Sequence, residues 1–150
     1  MPLHLRTFIE SDRQVLRELF LAARRATFTY LATETFEELD FDRATEGEFI
    51  FVAEQDGQLS GFASLFVAES FLHNLFVAPD AWRLGIGRAL LAACREKTGL
   101  ALRLKCLQAN HAALQFYLAQ GGQILASELG PDGPYALLEF SPPELEKRPG

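Results

Sequence analysis

A strand, a glycine loop, a helix and a second strand follow one another in the middle of this 150-residue chain, and that order constrains the fold most. Phe71 to Val77 reads as a strand that Pro79 ends. Gly85 then opens a helix reaching about Thr98. Its Ile86, Ala89, Leu90, Ala93 and Cys94 recur at i, i+3, i+4, i+7 and i+8, one apolar face of a helix. Leu100 to Leu107 is the next strand, with Arg103 and Lys105 facing away from Leu102 and Leu104. Such a β-α-β unit places helix against one face of a sheet.

The flanking elements are mostly antiparallel in character. Leu3 to Phe8 reads as a first strand. Ser11, three residues before Gln14, has the pattern of a capping box, and Val15, Leu16, Leu19, Phe20 and Ala23 give the helix that follows one apolar face. Thr27 to Glu48 lacks a clean period, and a short helix is expected near Thr33 to Leu39. Phe49 to Ala53 and Leu59 to Ala68 flank Asp56-Gly57, a hairpin-turn dipeptide. Asn110 to Gln120 is a last helix, stopped by Gly121-Gly122. Gln123 to Ser127 and Tyr135 to Phe140 form a final strand pair around a turn-rich Gly130-Pro131-Asp132-Gly133-Pro134. The order predicts an α+β fold: a mixed, mostly antiparallel sheet with helices on both faces. One domain is expected over 1–140, with an extended or mobile tail over 141–150.

Charge narrows the partners. The net charge of −6 argues against nucleic acid, whose binding depends on Lys and Arg neutralising phosphates. Thr33 to Gln58 holds nine acidic residues and one basic, Arg43. A solvated surface is the bland account of that stretch, and a region that draws in a cationic substrate is the sharp one. No apolar run approaches the roughly 20 residues of a membrane span. Met1 to Glu10 has no apolar signal core, so a cytoplasmic location is expected. Cys94 and Cys106 sit on apolar faces without metal-ligand spacing, so they read as buried thiols and no metal is expected.

Trp82-Arg83-Leu84-Gly85-Ile86-Gly87-Arg88 lies between strand and helix. Glycines let backbone approach a ligand closely, and a helix start offers unpaired N–H groups and a positive dipole end. Together they suit a pyrophosphate. The phosphate-binding P-loop is absent, since no Gly-Lys-Ser/Thr follows. The dinucleotide fingerprint fails too: Leu90 stands where its third small residue belongs.

Leu75-Phe76-Val77-Ala78-Pro79, the glycine loop and Arg88-Ala89-Leu90-Leu91 resemble the acetyl-CoA motif of the GNAT acetyltransferase superfamily. Asn110, Ala113, Phe116-Tyr117 and Gly121 are similar to that family's second motif. Trp82 departs from the usual Gln or Arg, and Gly122 from a common Phe. The resemblance implies acetyl-CoA as cosubstrate, an amine acceptor (a small molecule or a peptide end), and a homodimer as one assembly. It implies that the amides of Arg83, Leu84, Gly85, Ile86, Gly87 and Arg88 hold the pyrophosphate. The pantetheine arm would pair with the backbone of Leu75, Phe76 and Val77 where two central strands splay, and Asn110 would reach the coenzyme there. Direct attack of the amine on the thioester needs a proton donor for the leaving thiolate, which the resemblance assigns to Tyr117.

The base is less determined. Alternation places His73 on one strand face with Phe71, Leu75 and Val77, and its imidazole titrates in a useful range. A hydrogen-bonded structural histidine is the competing account. Glu54 and Glu69 are weaker candidates. Phe28, Tyr30, Phe36 and Phe41 are candidates for an acceptor pocket or simply core aromatics. A CoA-binding module without turnover is the alternative to an N-acetyltransferase.

Overall fold

The computed structural model describes residues 2–143, so most of the expected tail at 141–150 lies outside the described residues. Among the described residues seven strands form one sheet: β1 His4–Thr7, β2 Phe49–Gln55, β3 Gln58–Phe66, β4 Phe71–Val77, β5 Leu102–Leu107, β6 Gln123–Gly130 and β7 Gly133–Phe140. Their spatial order is β1-β2-β3-β4-β5-β7-β6. Every neighbouring pair is antiparallel except β4 with β5, the product of the β-α-β unit. Asp56 and Gly57 make the β2–β3 turn with φ of 53° and 79°, the left-handed pair a two-residue hairpin requires.

Helices cover both faces. Helix α1, Arg13–Thr27, and the short α2, Asp40–Thr45, lie on one side. There Leu16, Leu19, Phe20 and Phe41 pack on Ile50, Val52 and Phe62 of the sheet. Phe62 sits edge-on to Phe20 and Phe41 and stacks on Phe76, so four phenylalanines form the centre of this layer. Helix α3, Ile86–Thr98, and helix α4, His111–Ala119, cover the other side. Ile86, Leu90, Leu91 and Cys94 pack there on Ala63, Leu65, Leu72, Leu102 and Leu104. Gly61 permits this: a Cβ on it would lie 3.0 Å from the Phe76 carbonyl oxygen and 3.2 Å from an Ile86 methyl.

Three local expectations shift. The first helix begins at Arg13 after a tight turn over Glu10–Asp12, and Ser11 caps nothing. Asp12 takes the organising role, accepting the Ile9 N–H at 2.9 Å and two Arg6 bonds at 2.9 Å. Between Thr33 and Leu39 only the single turn Thr33–Thr35 is helical, and the helix proper starts at Asp40. The last hairpin pairs through to Gly130↔Gly133, so the turn is shorter than its composition indicated.

Candidate active site

The central feature is a gap. β4 and β5 pair only at Phe71↔Arg103 and Leu72↔Leu104; beyond those rows the ladder between them ends. β4 continues to Val77 and β5 to Leu107, each with one edge unpaired over this stretch. On its other side β4 stays in register with β3, at Leu75↔Ala63, Phe76↔Phe62 and Val77↔Gly61. The Ala78 N–H donates to the Ser60 carbonyl at 2.8 Å. Antiparallel alternation from that bond directs the N–H and C=O groups of Leu75 and Val77 away from β3, into the gap. Phe76 uses its own groups on β3. Trp82 closes the end of this edge, its indole N–H donating to the Val77 carbonyl at 2.8 Å.

The glycine loop stands at that end. Arg83 and Gly85 both adopt left-handed backbone, with φ of 69° and 81°. Gly85 is the N-cap of α3, and no side chain caps the helix. The Gly85 carbonyl accepts the first helical bond from Ala89, which leaves the N–H groups of Ile86, Gly87 and Arg88 without a helical partner. Gly87 packs this turn closely on its neighbours: a Cβ there would lie 3.5 Å from Phe116 and 3.9 Å from Val77. Arg83, Leu84 and Arg88 are exposed around it, while Ile86 is buried. Exposed Arg83 and Arg88, bare amides and the positive end of a helix dipole therefore belong to one turn that follows β4, a combination that suits a pyrophosphate.

Across the gap, Asn110 caps α4, its side-chain oxygen accepting the Ala113 N–H at 3.3 Å. Tyr117 is half-buried on α4, edge-on to Phe116 and Phe140 at 5.3 and 6.4 Å. Burial, then the nearness of Cys106 and Cys94, pushes its phenol well above the ordinary 10.0. The group therefore keeps its proton at neutral pH, as a donor must. Its hydroxyl makes no hydrogen bond to a described residue, so the proton is uncommitted. Burial likewise raises the thiols of Cys94 to about 12 and Cys106 to about 11, which leaves them protonated and poor nucleophiles. Gly122 has a packing reason to differ from a common Phe. A Cβ on it would stand 2.9 Å from the Tyr117 carbonyl oxygen and 3.0 Å from Phe140, which already fills that space.

His73 corrects the alternation argument. A bulge in the β3–β4 ladder pairs Ser64 with Asn74 and Leu65 with Leu72, leaving His73 as the extra residue. Phase is lost there. Leu72, Leu75 and Val77 pack toward α3, while Phe76 packs toward α1. The His73 ring lies 4.9 Å from Phe71 and 6.2 Å from Phe66 rather than beside Leu75 and Val77. Its Nδ1 meets the carboxylate of Glu48, which precedes β2. Glu48 also takes the Ser64 hydroxyl, and Asn74 donates to Ser64 Oγ at 3.1 Å and to the Ala44 carbonyl at 3.0 Å. Sequence reasoning missed Glu48, Ser64 and Asn74, because only the bulge and a 25-residue separation bring them to His73. Glu54 is engaged elsewhere, with Arg6 at 3.1 Å, and Glu69 is exposed in a turn after β3.

Two acids of the stretch 33–58, both on α2, are tied into ion pairs with α1. Asp42 pairs with Arg13 at 3.2 Å and Arg17 at 2.6 Å, and Asp40 with Arg24 at 2.9 Å and with Arg43. Glu38 accepts from Gln14 at 2.9 Å. The basic face of α1 thus pins α2, and Asp40 and Asp42 serve as structural ion-pair partners. Of the four aromatics considered for an acceptor pocket, Phe41 is wholly buried core. Phe28 and Phe36 line a hollow of about 210 Å³ with Leu31, Leu107 and Asp132. Tyr30 lies beside it, 6.0 Å from Phe28. Among the described residues no group of three His, Cys, Asp or Glu side chains could hold a metal ion. No described helix is long and apolar enough to cross a membrane.

A split strand pair, a glycine turn at a helix start and an asparagine-capped helix carrying a tyrosine agree with the resemblance. The chain belongs to the acetyltransferase (GNAT) family, whose model matches residues 14–121. Peptidyl-lysine N-acetyltransferase YiaC of Escherichia coli (strain K12) is 43% identical over 75 residues, which are 50% of this chain and 50% of that protein. The match thus spans about half the length of this curated relative. Among solved structures, apo YjaB from Escherichia coli superposes with a TM-score of 0.78 at 24% identity, covering 93% of this chain and 98% of that one. The PaiA N-acetyltransferase of Thermoplasma acidophilum, solved in complex with coenzyme A, gives 0.74 at 18% identity, covering 94% and 99%. Both likenesses concern the fold.

Proposed function

We propose that this chain is an acetyl-CoA-dependent N-acetyltransferase in which an amine attacks the thioester directly. The observation that carries the reading is the open edge of β4, with Leu75 and Val77 aimed into the β4–β5 gap and the glycine turn of α3 at its end. A pantetheine arm carries amide donors and acceptors and can add to such an edge as a strand does. The bare amides of Ile86, Gly87 and Arg88 would then receive the pyrophosphate, with Arg83 and Arg88 supplying charge. Asn110 caps α4 and Tyr117 lies on it, the helix that follows β5 on the other side of that gap. Tyr117, protonated and unengaged, would give a proton to the departing sulfur, and His73 on β4 would accept one from the amine.

The acceptor we favour is the side-chain amine of a lysine in a peptide. The name of YiaC motivates that choice, and the hollow lined by Phe28, Leu31, Phe36 and Leu107 offers apolar walls with the Asp132 carboxylate, its one cation, Arg24, being paired with Asp40. Coenzyme binding is tested by calorimetry on Gly87→Glu. A carboxylate there opposes the pyrophosphate and removes the close backbone approach, so affinity should fall at least about 100-fold while the fold persists. Unchanged affinity refutes the assignment of the loop.

A further inference from the structure

The hydrogen bonds around His73 have only one consistent direction. The Ala44 carbonyl can only accept, so the side-chain nitrogen of Asn74 faces it at 3.0 Å. The same nitrogen donates its second proton to Ser64 Oγ at 3.1 Å. The Ser64 hydroxyl is thereby an acceptor on that side, and its own proton goes to Glu48. Ser64 is fully buried and the Glu48 side chain is only 6% exposed, so no water competes freely for these groups. The relay from Asn74 through Ser64 ends on one oxygen of Glu48, and the second oxygen meets His73 Nδ1. An ionised carboxylate only accepts, on this oxygen as on the one that takes the Ser64 proton, which places a His73 proton on Nδ1. The His73 side chain is 43% exposed, so the free lone pair on Nε2 is the accessible one.

We propose that Glu48 is a positioning residue for acyl transfer, holding His73 in the Nδ1-protonated tautomer so that Nε2 is the base. This rests on the acetyltransferase reading. The amine nitrogen attacks the thioester carbon, the C–N bond forms and the C–S bond breaks. Sulfur leaves with the bonding pair and takes the Tyr117 proton, while the amine's surplus proton passes to His73 Nε2. Solvent carries that proton back to the Tyr117 oxygen, so amine and acetyl-CoA become acetamide and CoA thiol. The β4 bulge gives the device its geometry, since without the extra residue His73 and Asn74 would project to opposite faces. Glu48 and Ser64 stabilise the imidazolium in transit, as a buried carboxylate beside a catalytic imidazole does elsewhere.

Long-range nitrogen-15 NMR of the three histidines reads the tautomer directly, and the full chain is the sample. His73 should be protonated at Nδ1 in the wild type and at Nε2 in Glu48→Gln, whose amide can donate to Nδ1. Steady-state kinetics supply the second readout. Glu48→Gln should lower kcat at least about 10-fold with the KM for acetyl-CoA unchanged, and should cost nothing further on a His73→Gln background. An Nε2-protonated His73 in the wild type overturns the proposal. So does an equal loss in both backgrounds, which would make Glu48 a structural group independent of His73. The NMR result requires no turnover, so it stands apart from failure of the acetyltransferase reading itself.

Discussion

Removing one oxygen atom from Tyr117 should separate chemistry from folding. In Tyr117→Phe the ring keeps its edge-on contacts with Phe116 and Phe140. The hydroxyl has no partner among the described residues, so none is stranded, and stability should stay within about 0.5 kcal/mol. If the hydroxyl protonates the leaving sulfur, its loss removes a general acid. Such groups supply about 10²- to 10⁴-fold, or roughly 2.7 to 5.4 kcal/mol of transition-state stabilisation. The assay pairs kcat against an amine acceptor with calorimetric acetyl-CoA binding and thermal unfolding. In Tyr117→Phe, kcat should fall in that range while binding and melting temperature hold. The pH profile adds a sign. Burial raises the phenol above 10.0, so its working form is protonated and is lost only above that value. Wild-type kcat should therefore show no decline from Tyr117 as pH rises through 10. A variant that turns over at the wild-type rate, or one that loses acetyl-CoA affinity in step with kcat, refutes the role.

Two further perturbations test the frame that holds these groups. Gly122→Ala forces a methyl to 2.9 Å from the Tyr117 carbonyl, so denaturant unfolding should show a loss of about 1–3 kcal/mol; an unchanged midpoint would mean that the α4–β6 turn is slack. Asp40 accepts the Glu37 N–H and pairs with Arg43 and Arg24, which lowers its carboxyl to about 2 from 3.8. A depressed carboxyl stabilises the fold above its unfolded value and ceases to as pH falls through the folded one. Asp40→Asn should thus remove on the order of 2 kcal/mol of stability at neutral pH and flatten the acid slope between about pH 4 and pH 2, and an unaltered slope would contradict it.

Much of this was legible because local chemistry and fold agree. Asp56-Gly57 could only be a tight turn, and Phe71 to Val77 is strand to the residue. The glycine turn opens α3 and Asn110 caps α4, because Gly85 and Asn110 carry the local chemistry of helix starts. The failures are equally local in cause. A bulge inserts one residue into a two-residue period, and no composition marks it, so the face of His73 was misjudged and Glu48 overlooked. The acids of 33–58 looked unbalanced because their partners, Arg13, Arg17 and Arg24, lie on a helix before them. Ser11 has the right spacing for a cap, but Asp12, drawn to Arg6, reorganised the turn. In each case a contact distant in sequence outweighed a local preference.

The most direct test of the central claim is transfer itself. Wild-type protein, acetyl-CoA and a lysine-bearing peptide are incubated together, and free thiol and acetylated peptide are measured in the same samples, by thiol titration and mass spectrometry. The account predicts that both products appear in equal amounts, at a rate proportional to enzyme, and that Gly87→Glu abolishes both. Tight acetyl-CoA binding with neither thiol nor acetylated peptide released, across peptides and small amines alike, would contradict it.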